Sequence, residues 1–99
     1  MAATLAIERV DGGARLRGRL GFDEAAAATP RWRELIGAGA KQVDVDASGL
    51  ERPDSATLAV LLAWAAHANA QGARLRFRGM PDGLLALARL CGTERLLQS

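Results

Sequence analysis

Gly49-Leu50-Glu51-Arg52-Pro53-Asp54-Ser55-Ala56-Thr57-Leu58-Ala59-Val60-Leu61-Leu62 is a turn that closes on proline and becomes a helix without a gap. Asp54 is the candidate N-cap, because its carboxylate can accept from a free amide of the first turn. Ser55, Ala56 and Thr57 fill that turn, where backbone dipoles favour negative charge. From Leu58 the helix is almost wholly apolar and is expected to run to about Gln71, stopping at Gly72. Its core stripe is Leu58, Leu61, Leu62 and Ala65, the spacing of one helical face. Such a helix must be buried along its length while its polar tip faces water, where a partner can reach it.

Outward from this stretch the chain alternates between strands and helices. Before it, Lys41 to Ala47 places Val43 and Val45 on one side and Gln42, Asp44 and Asp46 on the other, as period-two side chains do in a strand. After it, Ala73 to Arg78 has Leu75 and Phe77 alternating with Arg74, Arg76 and Arg78. At the start, Thr4 to Val10 and Ala14 to Leu20 read as a hairpin joined by Asp11-Gly12-Gly13, with Arg15, Arg17 and Arg19 on one face of the second strand. Gly21-Phe22-Asp23-Glu24 opens a helix with Asp23 as its cap. Thr29-Pro30 is expected to kink or restart it, and Trp32, Leu35 and Ile36 form its buried stripe before Gly37-Ala38-Gly39. Gly79-Met80-Pro81 leads into a last helix packed through Leu84, Leu85, Leu87, Ala88 and Leu90, and Thr93 to Gln98 adds one more turn beyond Gly92.

The order is β-β-α-β-α-β-α: an α/β fold with a four-stranded mixed sheet and helices mainly on one face. A right-handed crossover makes the third and fourth strands parallel. The covered face carries Leu5, Ile7, Leu16, Val43, Val45, Leu75 and Phe77. With the third strand in the middle, Asp44 and Asp46 have arginines on both sides, so the arginine rows read as a solvated sheet face before they read as a phosphate-binding one.

Composition narrows the function. The 99 residues suit one domain over 1–99. Net charge is +2, and 12 of the 13 basic residues are arginines spread along the chain, which argues against nucleic acid as the partner. Cys91 is the lone cysteine and reads as a small hydrophobe. His67 is the lone histidine and reads as a helix residue rather than a base or ligand. No metal, cofactor or catalytic set is expected. There is no signal-peptide pattern, and Leu58 to Ala66 is far shorter than the roughly 20 residues of a membrane span, so a cytoplasmic chain is expected. Trp64 lies off the leucine stripe with Val60 and His67. It is either the edge of the core or an anchor for a partner.

These residues resemble the STAS domain, the fold of bacterial anti-sigma factor antagonists and of transporter-associated modules. The resemblance runs through Val43-Asp44-Val45-Asp46, Ser48-Gly49-Leu50, Asp54-Ser55, Leu58-Ala59-Val60-Leu61-Leu62, Ala70-Gln71-Gly72, Arg74-Leu75-Arg76-Phe77 and Leu84 to Leu90. Within the family it is similar to the small cytoplasmic subunits of Mla phospholipid ABC transporters. That likeness implies a non-enzymatic subunit that binds the ATPase subunit, in a membrane complex with a permease, and supports outer-membrane lipid asymmetry. It also implies that Ser55, the hydroxyl residue after the motif aspartate, matters for function, with Arg52, Pro53, Asp54, Ala56 and Thr57 in or beside the contact. Anti-sigma antagonists carry Asp-Ser-Ser-Gly-Leu and take phosphate on the second serine. Here that position is Ala56, which counts against the rival role as an anti-sigma factor antagonist, and Thr57 stands where glycine or alanine is usual. Ser55 remains an alternative phosphosite. A small enzyme or lipid carrier is the third reading, disfavoured by the missing catalytic groups and the small core.

Overall fold

Alternation in the sequence becomes alternation in burial. The computed structural model describes residues 5–10, 12–37, 41–93 and 97. Its elements are β1 (Ala6–Val10), β2 (Gly13–Gly18), α1 (Phe22–Gly37), β3 (Gln42–Leu50), α2 (Ser55–Ala70), β4 (Arg74–Arg78) and α3 (Asp82–Leu90), in the expected order. The sheet order is β1-β2-β3-β4. β1 and β2 are antiparallel, and β2–β3 and β3–β4 are parallel. Ile7, Ala14, Leu16, Val43, Val45, Leu75 and Phe77 are buried on the helix side. The other face carries exposed arginines, three of which meet acids: Arg15 with Asp46 at 3.4 Å, Arg17 with Glu8 at 3.5 Å and Arg78 with Asp44 at 3.8 Å. Exposed pairs of this kind each add about 0.2–1 kcal/mol at most.

β3 runs three residues further than Ala47 because it absorbs an extra residue. Arg15 pairs with Asp46 and Arg17 with Gly49, so three steps on β3 match two on β2. Val43, Val45 and Ala47 point inward at odd positions, and after this bulge Leu50 points inward at an even one. The change of parity looks like the end of a strand in sequence; in three dimensions it is a bulge. Ser48 clamps it by donating its amide (2.9 Å) and hydroxyl (2.6 Å) to Asp46 Oδ1. Gly49 is required there, since a Cβ would lie 2.6 Å from the Leu16 carbonyl oxygen.

Several helix details differ from expectation. α1 continues through Pro30 rather than restarting, and the Thr29 hydroxyl donates to the Ala25 carbonyl at 2.6 Å one position before the proline. Asp23 lies inside the first turn and does not cap it. Gly21 N–H instead donates to the Glu24 carboxylate at 2.8 Å. In α2 the fully buried residues are Thr57, Leu58, Val60, Leu61, Trp64 and Ala68, while Leu62 and Ala65 are only half-buried. The stripe is turned because α2 packs against α1 and α3 as well as the sheet. Leu84 and Ala88 anchor α3, whereas Leu90 is 85% exposed. Gly72 and Gly92 follow their helices in left-handed conformation, as expected of C-terminal stops. The expected burial of Leu35 and Ile36, the turn residues Asp11, Ala38 and Gly39, Thr4, and residues 94–96 and 98 lie outside the described residues. Leu97 is buried.

Candidate partner-binding site

The tip of α2 is a closed hydrogen-bond circuit. Asp54, in extended conformation, caps the helix by accepting from Thr57 N at 3.1 Å, and Asp54 N donates back to Thr57 Oγ1 at 3.1 Å. This reciprocal pair is a capping box with threonine in the reaching-back position. The Thr57 hydroxyl proton goes elsewhere: it is donated to the Leu20 carbonyl at 2.7 Å, inside the protein. Glu51 N donates to the Gly18 carbonyl at 2.8 Å. The loop from β3 to α2 is therefore tied at one end to Gly18, the last residue of β2, and at the other to Leu20 just beyond it.

Between those ties, Arg52 holds φ at +47° immediately before Pro53. A non-glycine residue there costs on the order of 1–2 kcal/mol, and a following proline restricts it further. The ties just described hold that conformation in place. Arg52, Asp54 and Ser55 are exposed, Pro53 and Ala56 are half-buried, and Thr57 is 2% exposed.

These placements sort the sequence-derived candidates. Arg52, Pro53, Asp54, Ser55 and Ala56 line one accessible turn. Thr57 does not belong to its surface, because its side chain faces Leu20; it positions the turn and offers a partner nothing. Trp64 takes the core role of the two open to it. It is 5% exposed and stacks on Trp32, with ring centroids 4.6 Å apart and planes 17° off parallel. Arg19 was missed by sequence reasoning, although its charge acts on Asp54. So was the Leu20 carbonyl, and no local pattern links residue 20 to residue 57.

Asp54 titrates below the usual carboxylate range, chiefly because the Thr57 amide bonds its charged form, with the Ala56 amide and the Arg19 charge adding to this. Asp46 is lowered mainly by the Ser48 hydroxyl and amide. Folded-state values lie below the unfolded one of about 3.9. Both acids therefore contribute stability that is fully present above about pH 4 and is lost as pH falls through the folded values. Melting temperature should be flat above about pH 5.5 and fall on acidification. The Asp46→Asn/Asp54→Asn double variant should show a shallower acid limb; an unchanged limb would remove these groups as its cause.

The chemistry of the tip favours docking over anion capture. The amides of Ala56 and Thr57 already face the Asp54 carboxylate. A phosphate on Ser55 would meet that negative charge beside it. Among the described residues no group of three or more histidine, cysteine or acidic side chains is placed to hold a metal, and no helix is long and apolar enough to cross a membrane.

Comparison with known proteins agrees with the architecture. The family model described as "Mlab, STAS domain" matches residues 3–98. The NMR structure of the protein TM1081 superposes with a TM-score of 0.66 at 18% identity, covering 92% of this chain and 75% of that one. The crystal structure of Mglu superposes with a TM-score of 0.58 at 20% identity, covering 78% of this chain and 19% of that much longer one. At such identities the likeness is one of fold. No protein of curated function matches the sequence.

Proposed function

The chain belongs to the MlaB-type STAS family, and from that membership we propose that it is a non-enzymatic accessory subunit that docks on the ATPase of an Mla-type ABC transporter. The observation that carries this reading is the exposed Ser55 hydroxyl on a turn whose neighbours are locked by the Asp54–Thr57 circuit. A preformed turn loses little conformational entropy on association. Arg52, Pro53, Asp54, Ser55 and Ala56 form the contact, with Arg19 lending positive charge near Asp54. As one STAS domain in the cytoplasm, the chain sits at the inner membrane through an MlaF-like ATPase and its permease, and supports phospholipid transport that maintains outer-membrane asymmetry. The role of an anti-sigma factor antagonist is weaker, since Ala56 carries no hydroxyl at the position where those proteins take phosphate.

Affinity purification of the tagged chain from its own cells tests this. An ABC ATPase and permease should co-purify in near-equal amounts. Recovery of a soluble kinase-like protein instead, with an added phosphate on Ser55 by intact mass, would replace the transporter reading with the phospho-switch.

A further inference from the structure

β4 ends the sheet, and among the described residues no strand pairs with its outer edge. Arg74 N donates to the Lys41 carbonyl at 2.9 Å. In a parallel ladder this assigns the backbone groups of Arg74, Arg76 and Arg78 to β3, and turns those of Leu75 and Phe77 to the open edge. At the start of the strand the outward amide of Ala73 is already taken, by the Ala68 carbonyl at 2.8 Å.

The two sides of this edge differ in chemistry. On the open sheet face, Arg74 and Arg76 are exposed and form no ion pair among the described residues, whereas Arg78 reaches Asp44. On the helix side, a groove of about 270 Å³ runs between α2 and β4, lined by the apolar Leu62, Ala65, Ala66, Ala73 and Leu75 together with the polar Asn69 and Arg74, so that Arg74 borders both surfaces. It begins at Leu62, about 7 residues down the helix from Ser55, or roughly 10 Å at 1.5 Å per residue. The edge is thus a surface apart from the helix tip.

We propose that the β4 edge accepts an extended segment of a partner protein in which acidic and small apolar residues alternate. The segment's backbone pairs with Leu75 and Phe77. Its acidic side chains face Arg74 and Arg76, and its apolar ones enter the α2–β4 groove. Period-two side chains make one strand satisfy both surfaces at once. A second copy of this chain does not fit, because β4 against β4 would bring like-charged rows together.

The experiment titrates the 15N-labelled full chain with a blocked nine-residue peptide alternating glutamate and valine. Shift changes should centre on the Leu75 and Phe77 amides, whose hydrogen exchange should slow. A lysine–valine peptide should not bind. Arg74→Glu/Arg76→Glu should weaken binding at least tenfold, and the milder Arg74→Ser/Arg76→Ser, offered in case charge reversal disturbs the fold, should weaken it severalfold. Ser55→Arg should bind the peptide as the parent chain does, which separates this result from any failure of the helix-tip reading. Shifts spread evenly over the β2 arginines, affinity unchanged in both double variants, or capture of the chain by phosphatidylglycerol vesicles with no response to the peptide would each overturn the proposal.

Discussion

Ser55→Arg is expected to weaken binding to the ATPase subunit by roughly thirtyfold or more while leaving the melting temperature within about 4 °C of the parent chain. The first figure is the 2 kcal/mol that defines an interface hot spot. The second follows because Ser55 is exposed and its side chain takes no part in the Asp54–Thr57 cap, so substitution there should change stability by about 0.5 kcal/mol or less, which at 4–8 °C per kcal/mol is at most about 4 °C. Ser55 is exposed and makes no side-chain hydrogen bond among those of the tip circuit, so its replacement removes nothing that holds the fold. Arginine at this position meets the positive end of the helix dipole and stands beside Arg52. It also projects well beyond the serine it replaces, into whatever packs on the turn. Ser55→Ala is the matched control. It keeps the shape and removes only the hydroxyl, so it should cost tenfold or less if the contact is mainly steric. Calorimetric titration of purified ATPase subunit with each variant reads both effects. Parent-like affinity for Ser55→Arg would move the interface off the helix tip, and a drop in melting temperature of about 8 °C or more would make Ser55 a structural residue.

How much of this was legible in sequence depends on which features are local. Strand positions were, because Leu75-Arg76-Phe77 and Val43-Asp44-Val45 alternate over a few residues and burial follows that alternation directly. The cap was legible too: an aspartate after proline and before an apolar run is a short-range signal, and Asp54 does cap α2. What failed was direction. α2 is apolar nearly all round, so its sequence has no single preferred face, and the stripe drawn through Leu62 and Ala65 was about half a face away from the one that is buried. The same uniformity gives Trp64 no side of its own in sequence; the stack on Trp32, 32 residues earlier, places it in the core. Of the kink or restart expected at Pro30, the restart does not occur. The proline's local cost of about 3 kcal/mol argues for a break, but burial of Trp32 in the next turn holds the helix together across it. Thr57 looked like part of an exposed polar turn because Ser55 and Thr57 share chemistry. Only the position of the Leu20 carbonyl, in the connection from β2 to α1, distinguishes the residue that faces out from the one that faces in.

That distinction carries the second large effect: Thr57→Val should destabilise the fold by about 2 kcal/mol, within the 1–3 expected when a buried polar group loses its partner. Valine keeps the volume and the branched shape, so no cavity opens and the loss can be assigned to hydrogen bonding. Two groups are orphaned at once. The Leu20 carbonyl loses its 2.7 Å donor, and Asp54 N loses the acceptor at 3.1 Å that completes the capping box. For a chain of this length 1 kcal/mol corresponds to a shift of about 4–8 °C, so a fall of roughly 8–16 °C is expected. Thr57→Ser should recover most of it, since serine keeps the hydroxyl and gives up only the methyl. The circuit also ties α2 to Leu20 in the connection from β2 to α1, which predicts a functional split. Thr57→Val should weaken partner binding less than Ser55→Arg does, since the docking surface is intact in the molecules that remain folded, and the deficit should shrink on cooling as the folded fraction recovers. If Thr57→Val instead kept its melting temperature and lost the partner as completely as Ser55→Arg, the hydroxyl would be reaching outward in solution, and the inward bond to Leu20 would not be what positions this turn.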